Sequence, residues 1–284
     1  MFELQQFFVS GIVIASIWAL PAAGVSLIYG VLRFPNFAIA EFVTLGAYLA
    51  FSFSALGLPF MLAAPFAALS CGAVALVFDQ TVFRLVRRAG TLPPILLSLG
   101  LLLLLQNVVR FIWGNDVRQF RLPLLRPYEL VGFNITIYGL LSILASAVFL
   151  FGLYGLLRWT QFGREVRATA NNPGLSRVCG VPLERVFGGL SLLAGTAAGL
   201  GGVLLALETS LVPLLGWYSL LPIFAIAILG GLGRIAGVGL AALIVGLVTE
   251  YSLLILQSSY KSAVAFVVLS VVLIWRPTGI VAQE

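Results

Sequence analysis

Residues 92–113 read LPPILLSLGLLLLLQNVVRFIW, an apolar run with Arg110 as its one charge. A helix rising 1.5 Å per residue needs about 20 such residues to cross the roughly 30 Å hydrocarbon core of a bilayer. The run has that length and offers no polar face to water, so it reads as a transmembrane helix. Similar runs lie on both sides of it. Toward the N-terminus they are Pro59–Val82, Phe37–Leu56 and Gln5–Tyr29. Toward the C-terminus they are Ile135–Leu157, Val186–Leu207, Trp217–Leu229, Gly237–Leu256 and Ser262–Trp275. The whole chain agrees: 61% of its 284 residues are hydrophobic and 9% charged, far from the roughly one-quarter charged fraction of soluble domains. The expected fold is an all-α, polytopic transmembrane helical bundle of eight or nine spans, with residues 1–284 forming one domain. The run at Trp217–Leu229 is short enough for a re-entrant or broken helix.

The first run is too long for a signal peptide, lacks a basic leader and is followed by further spans, so it reads as the first crossing. The net charge of +6 sits in loops. Placing the loops with Arg33, with Arg84, Arg87 and Arg88, with Arg158–Arg185, with Arg234 and with Arg276 on the cytoplasmic side puts eleven of the sixteen cations there. Arg110, Arg118, Arg121, Arg126 and Lys261 fall outside. By the positive-inside bias the N-terminus is then outside and the C-terminus inside, which nine crossings satisfy. Such a charge surplus belongs to membrane topology and gives no support to nucleic-acid binding. Trp113, Trp159, Trp217 and Trp275 fall at span ends, where indoles prefer the headgroup level, and Trp18 falls mid-span. Small residues at Gly195/Gly199 and Gly233/Gly237 predict closely approaching helix backbones.

The residue inventory limits the chemistry. With no His there is no Ser/His or Cys/His pair and no His-based metal site, and no Gly-rich loop ends in Gly-Lys-Ser/Thr. No catalytic residue, metal or cofactor is expected, and any ATP use must come from a partner. Cys71 and Cys179 are expected at different depths, hence unpaired. Carboxylates in or near spans are functional candidates because an ionised group at membrane depth is costly. Asp79 and Glu208 lie near span ends and read as solvated. Glu41 and Glu250 lie deeper and read either as lining a water-filled path or as buried anchors. Pro35 lacks an amide donor and disfavours helix at Phe34, so the segment from Arg33 to Glu41 is expected to interrupt the helix. Asn36, Glu41 and Glu250 are the candidate path residues.

The loop QFGREVRATANNPGLSRVCGVPLER (161–185) carries most of the cytoplasmic charge. Residues Arg164 to Ala170 predict a short amphipathic helix with Val166 and Ala170 on one side and Arg167 near Glu165, stopped by Asn171, Asn172 and Pro173. Such a helix outside the bilayer calls for a protein partner.

Four segments, in order, resemble the branched-chain amino-acid permease family of ABC importers (LivH/LivM type), which also includes urea, amide and aromatic-acid uptake permeases. They are GVSLIYGVLRFPNFAIAEFVTLGAY (24–48), LSLGLLLLLQNVVRFIWG (97–114), FGREVRATANNPGLSRVCGV (162–181) and AILGGLGRIAGVGLAALIVGLVTE (227–250). The third is similar to the family's cytoplasmic coupling segment, with Gly163, Arg164, Arg167, Ala168, Asn171 and Gly180 at the recurring positions. The resemblance implies that this segment docks on a separate ATPase. It also implies an assembly of two permease subunits, hetero- or homodimeric, with two cytoplasmic ATPases and an extracytoplasmic solute-binding protein in a bacterial inner membrane. The cargo it implies is a small polar organic solute, an amino acid of branched-chain type first. The binding protein would dock on the outer loop Gly114–Asn134, which carries Arg118, Arg121, Arg126 and Glu129. Family members commonly carry His-Gly where this chain has Ile39 and Ala40, so the role of that His is absent here. The competing readings are an ion-coupled secondary transporter using Glu41 and Glu250 as a proton relay, and a channel. Neither gives the 161–185 loop a task.

Overall fold

The computed structural model describes residues 2–87, 89–120, 128–130, 133–257 and 260–275. Arg88, Arg121, Arg126 and Arg276, counted above, lie outside the described residues. The elements in chain order are α1 (Phe2–Leu32), α2 (Ala38–Ala55), α3 (Phe60–Phe78), a π turn (Asp79–Phe83), α4 (Arg84–Val86), α5 (Leu92–Trp113), β1 (Tyr128–Leu130), β2 (Phe133–Ile135), α6 (Ile137–Trp159), α7 (Gln161–Asn171), α8 (Pro173–Val178), α9 (Leu183–Glu208), α10 (Leu215–Gly230), α11 (Ile235–Tyr251), a 3-10 turn (Ser252–Leu254) and α12 (Lys261–Trp275). The strands form one antiparallel hairpin with Glu129 opposite Asn134.

Among the described residues, seven helices are long and apolar enough to cross a membrane, beginning at Gln5, Ala38, Phe60, Leu92, Ile137, Leu183 and Ile235. α10 and α12 are shorter, at 16 and 15 residues. Each of the nine expected runs therefore corresponds to a helix. The break after α1 falls where Pro35 places it: α1 ends at Leu32, Arg33 takes a left-handed conformation (φ 56°), and α2 begins at Ala38. Tandem prolines open the first turn of α5, where their missing amides cost nothing, and Gly114 ends it at φ 83°.

α9 is the central helix, packed along α1, α2 and α3. Its small residues make this contact. At Gly199 a side chain would collide with Cys71 and at Gly202 with the Val43 backbone, while Gly46 of α2 leaves no room for one against Gly199. In lipid, where burial of apolar surface gives helices no net drive to associate, such backbone proximity is what holds them together. Of the two glycine pairs expected, Gly195 lies against Cys71 and Ala75 of α3 as proposed. The second differs: Gly233 is in the α10–α11 turn (φ 92°) packed on Gly30, and Gly237 faces Gly230. The outer faces of α3, α5 and α6 expose Phe66, Leu69, Leu103, Phe111, Leu144 and Phe151, a surface suited to hydrocarbon and to no aqueous phase.

The basic loops gather at one end of the bundle. Arg33 Nη2 donates to Ala170 O (3.3 Å), Arg87 pairs with Glu184 (2.7 Å), and Gly233 N donates to Ser26 Oγ (2.9 Å). The opposite end is built by Trp113 Nε1 donating to Ser52 Oγ (2.8 Å), the Arg118–Leu211 bridge and the Lys261–Glu250 pair. α10 begins inside the bundle. Its Gly216 N donates to Thr44 Oγ1 (2.8 Å), six residues into α2, and the chain reaches that depth from Leu211 at the far end. The chain enters from the Leu211 end and leaves at the basic end, where Gly233 meets Ser26, so the short run is the helical part of a broken crossing.

Candidate coupling surface and intramembrane site

α7 is fixed to the end of α6 by three features. The Thr160 hydroxyl accepts from Gly163 N (3.2 Å) as an N-cap. Gly163 lies so close to the Leu157 carbonyl that no side chain fits there. Arg167 Nη1 donates to the same Leu157 carbonyl. The inward face buries Gly163, Val166 and Thr169. Arg164, Arg167, Ala168 and Asn171 are exposed, and their i, i+3, i+4, i+7 spacing makes one helical stripe. Asn172 Oδ1 then accepts from Leu175 N (3.0 Å), capping α8, and Gly180 (φ 84°) ends that unit in the left-handed region that glycine favours. Five of the six candidate coupling residues thus sit on one short helix and the sixth closes the next turn. Two details differ from expectation. The helix starts at Gln161, and Arg167 binds the α6 carbonyl instead of lying near Glu165, because residues two apart on a helix face about 200° apart.

Behind this surface lies an ion cluster that the sequence reading missed. Arg87 Nη2 binds Asp79 Oδ1 (2.7 Å), Arg87 Nη1 binds Glu184 Oε2 (2.7 Å), and the guanidinium sits 4.3 Å from the Phe187 ring centroid. Asp79 is not solvated as expected: its side chain is 4% exposed. The π turn supplies the reason. It widens one turn by a residue, so a spacing of eight brings Asp79 and Arg87 to the same side. Glu208 also departs from the solvated reading, with a buried Oε1 against Gly139.

Of the candidate path residues, Asn36 precedes α2 and Glu41 lies in its first turn, whereas Glu250 lies at the other end of the bundle. Asn36 Oδ1 accepts from Ala38 N (3.1 Å), and the side chain borders a small cavity with Ile28, Phe42, Phe78, Phe83 and Ser191. Glu41 is fully buried, and neither carboxylate oxygen has a hydrogen-bond partner among the described residues. Thr44 and Arg110 are its polar and charged neighbours, and Thr44 is the residue that receives the first turn of α10. Glu250 lies at the opposite end, paired with Lys261 Nζ at 2.6 Å. This pair ties α11 to α12. Cys71 is buried, its thiol donating to Phe42 O (3.2 Å), and Cys179 is exposed on the coupling side.

Long apolar helices, a broken crossing and a short amphipathic helix at the basic end define a multi-pass membrane protein. Residues 7–273 match the family described as the branched-chain amino acid transport system permease component, and the chain belongs to that family. It is 29% identical over 99% of its length to the high-affinity branched-chain amino acid transport system permease protein BraD of Pseudomonas aeruginosa, covering 96% of that protein. It is equally 29% identical to LivH of Escherichia coli, over 100% of this chain and 96% of the relative. A solved structure, PsaBC from Streptococcus pneumoniae in complex with Fab, shares the fold at a TM-score of 0.51 and 15% identity, over 96% of this chain and 91% of that one.

Proposed function

We propose that this chain, as one permease domain, forms half of the membrane pathway of an ATP-driven importer of branched-chain amino acids in a bacterial inner membrane. A second permease subunit, identical or homologous, completes the pathway. Two cytoplasmic ATPases drive it, and an extracytoplasmic binding protein delivers the solute to the end carrying Arg118. The observation that supports this most directly is the exposed stripe Arg164, Arg167, Ala168 and Asn171 on a helix clamped rigidly to α6. A stripe held in this way passes a push on α7 into the bundle. Asn36 and Glu41 contribute to the path where α10 starts inside the bundle, since freed backbone at that depth is tolerated only where protein or water satisfies it.

The test is uptake of labelled leucine, isoleucine and valine into proteoliposomes holding the assembled complex and its binding protein. All three are expected to accumulate. Accumulation of urea or short amides in their place contradicts the substrate assignment. In the same assay Asn36→Leu and Glu41→Ala should each lower transport while the complex assembles and its ATPase still responds to loaded binding protein. Wild-type transport by both variants assigns these residues to anchoring.

A further inference from the structure

Two grooves lie side by side at the basic end of the bundle and share the ridge Val181–Pro182. One, of about 340 Å³, is lined by the coupling residues Arg164, Ala168 and Gly180 together with Gln161, Glu165 and Cys179. The other, of about 780 Å³, is lined by Arg84, Arg177 and Arg185 together with Leu85, Val181 and Leu183. Its one acid, Glu184, is already bound by Arg87, which also serves the buried Asp79. All three arginines are exposed, and they come from three separate places in the chain: α4, α8 and the start of α9. A groove lined by both apolar and cationic side chains, with Leu85 itself exposed, has the make-up of a protein interface rather than of a merely solvated loop. Its excess positive charge selects an acidic partner surface and steers its approach.

We propose that the ATPase contact does not end at the α7 stripe but crosses the Val181–Pro182 ridge into this second groove, which receives an acidic segment of the ATPase carrying an apolar side chain. The proposal rests on the coupling assignment made above and adds a second contact to it. Arg87 joins the groove to α3, because Glu184 on the groove's wall and Asp79 at the end of α3 bind the same guanidinium. A load in the groove is thereby shared by α3 and α9, two helices packed along each other.

The experiment uses the full permease in detergent and the purified ATPase, with association measured across a series of salt concentrations. Arg84→Glu with Arg185→Glu should weaken association by roughly tenfold or more and flatten its salt dependence. Arg84→Lys with Arg185→Lys, which keeps the charge, should restore both. Wild-type association and salt dependence in the charge-reversed variant overturn the groove assignment. If Arg164→Glu with Arg167→Glu still releases the ATPase in that case, the coupling reading stands and only the groove falls. If neither pair has an effect, the coupling reading falls with it. Wild-type ATPase association accompanied by lost binding to anionic phosphatidylglycerol vesicles overturns the proposal in favour of a lipid-facing groove.

Discussion

Arg164→Glu combined with Arg167→Glu abolishes uptake while the chain still inserts and still receives its binding protein. Both side chains are exposed, so reversing them leaves the buried face of α7, made of Gly163, Val166 and Thr169, intact. Arg167 also donates to the Leu157 carbonyl, so part of its effect is local fraying, and Arg167→Gln separates the two contributions by removing the charge while keeping a donor. What the double reversal adds is like-charge repulsion against any acidic docking surface, which costs several kcal/mol on the order of what a moderate interface supplies. Co-purification of the ATPase and labelled-solute uptake are measured together. Full association with full transport contradicts the coupling role.

Replacing Arg87 has the largest expected effect on stability. Arg87→Ala leaves Asp79 buried with its charge uncompensated, and breaking a buried pair from one side costs about 3–5 kcal/mol. Glu184 is 51% exposed, so Glu184→Gln removes a contact worth about 0–1 kcal/mol. Arg87→Ala should therefore lower the unfolding midpoint of the detergent-solubilised protein strongly and Glu184→Gln hardly at all. Adding Asp79→Asn to Arg87→Ala should recover most of the loss, because the stranded charge is then gone. Equal midpoints for the two single variants would show that Asp79 does not depend on Arg87.

These two sites also mark what the sequence reveals and what it hides. The body of α7 is legible because its signals are local: a charged stripe at helical spacing and an Asn-Asn-Pro stop lie within 164–173, whereas the Thr160 cap that starts it at Gln161 came to light only in the structure. The break at Pro35 is legible for the same reason, since a proline restricts its own neighbours. The nine apolar runs needed only length and hydropathy. The Asp79–Arg87 pair was hidden because it depends on a π turn, which adds a residue to the helical repeat without any compositional mark. The Glu250–Lys261 pair was hidden because it joins two helices across a loop, so Glu250 read as a lone intramembrane acid beside Glu41. The contacts of Gly46 with Gly199 and of Gly202 with Val43 are equally non-local: small residues announce that something comes close, and only the fold says what. The depth at which α10 begins follows from the Gly216–Thr44 bond, whose partners are 172 residues apart.

The central claim is that this chain moves solute only as the membrane part of an ATP-driven machine, and the energy source tests it most directly. Proteoliposomes containing the permease pair, with or without the ATPase, are loaded with ATP on the ATPase side and offered binding protein charged with labelled leucine outside. The expected result is accumulation that requires both ATP and the ATPase and that a proton gradient alone does not produce. Gradient-driven accumulation by the permease without ATPase would contradict it and would make the buried Glu41 carboxylate part of an ion-coupled carrier.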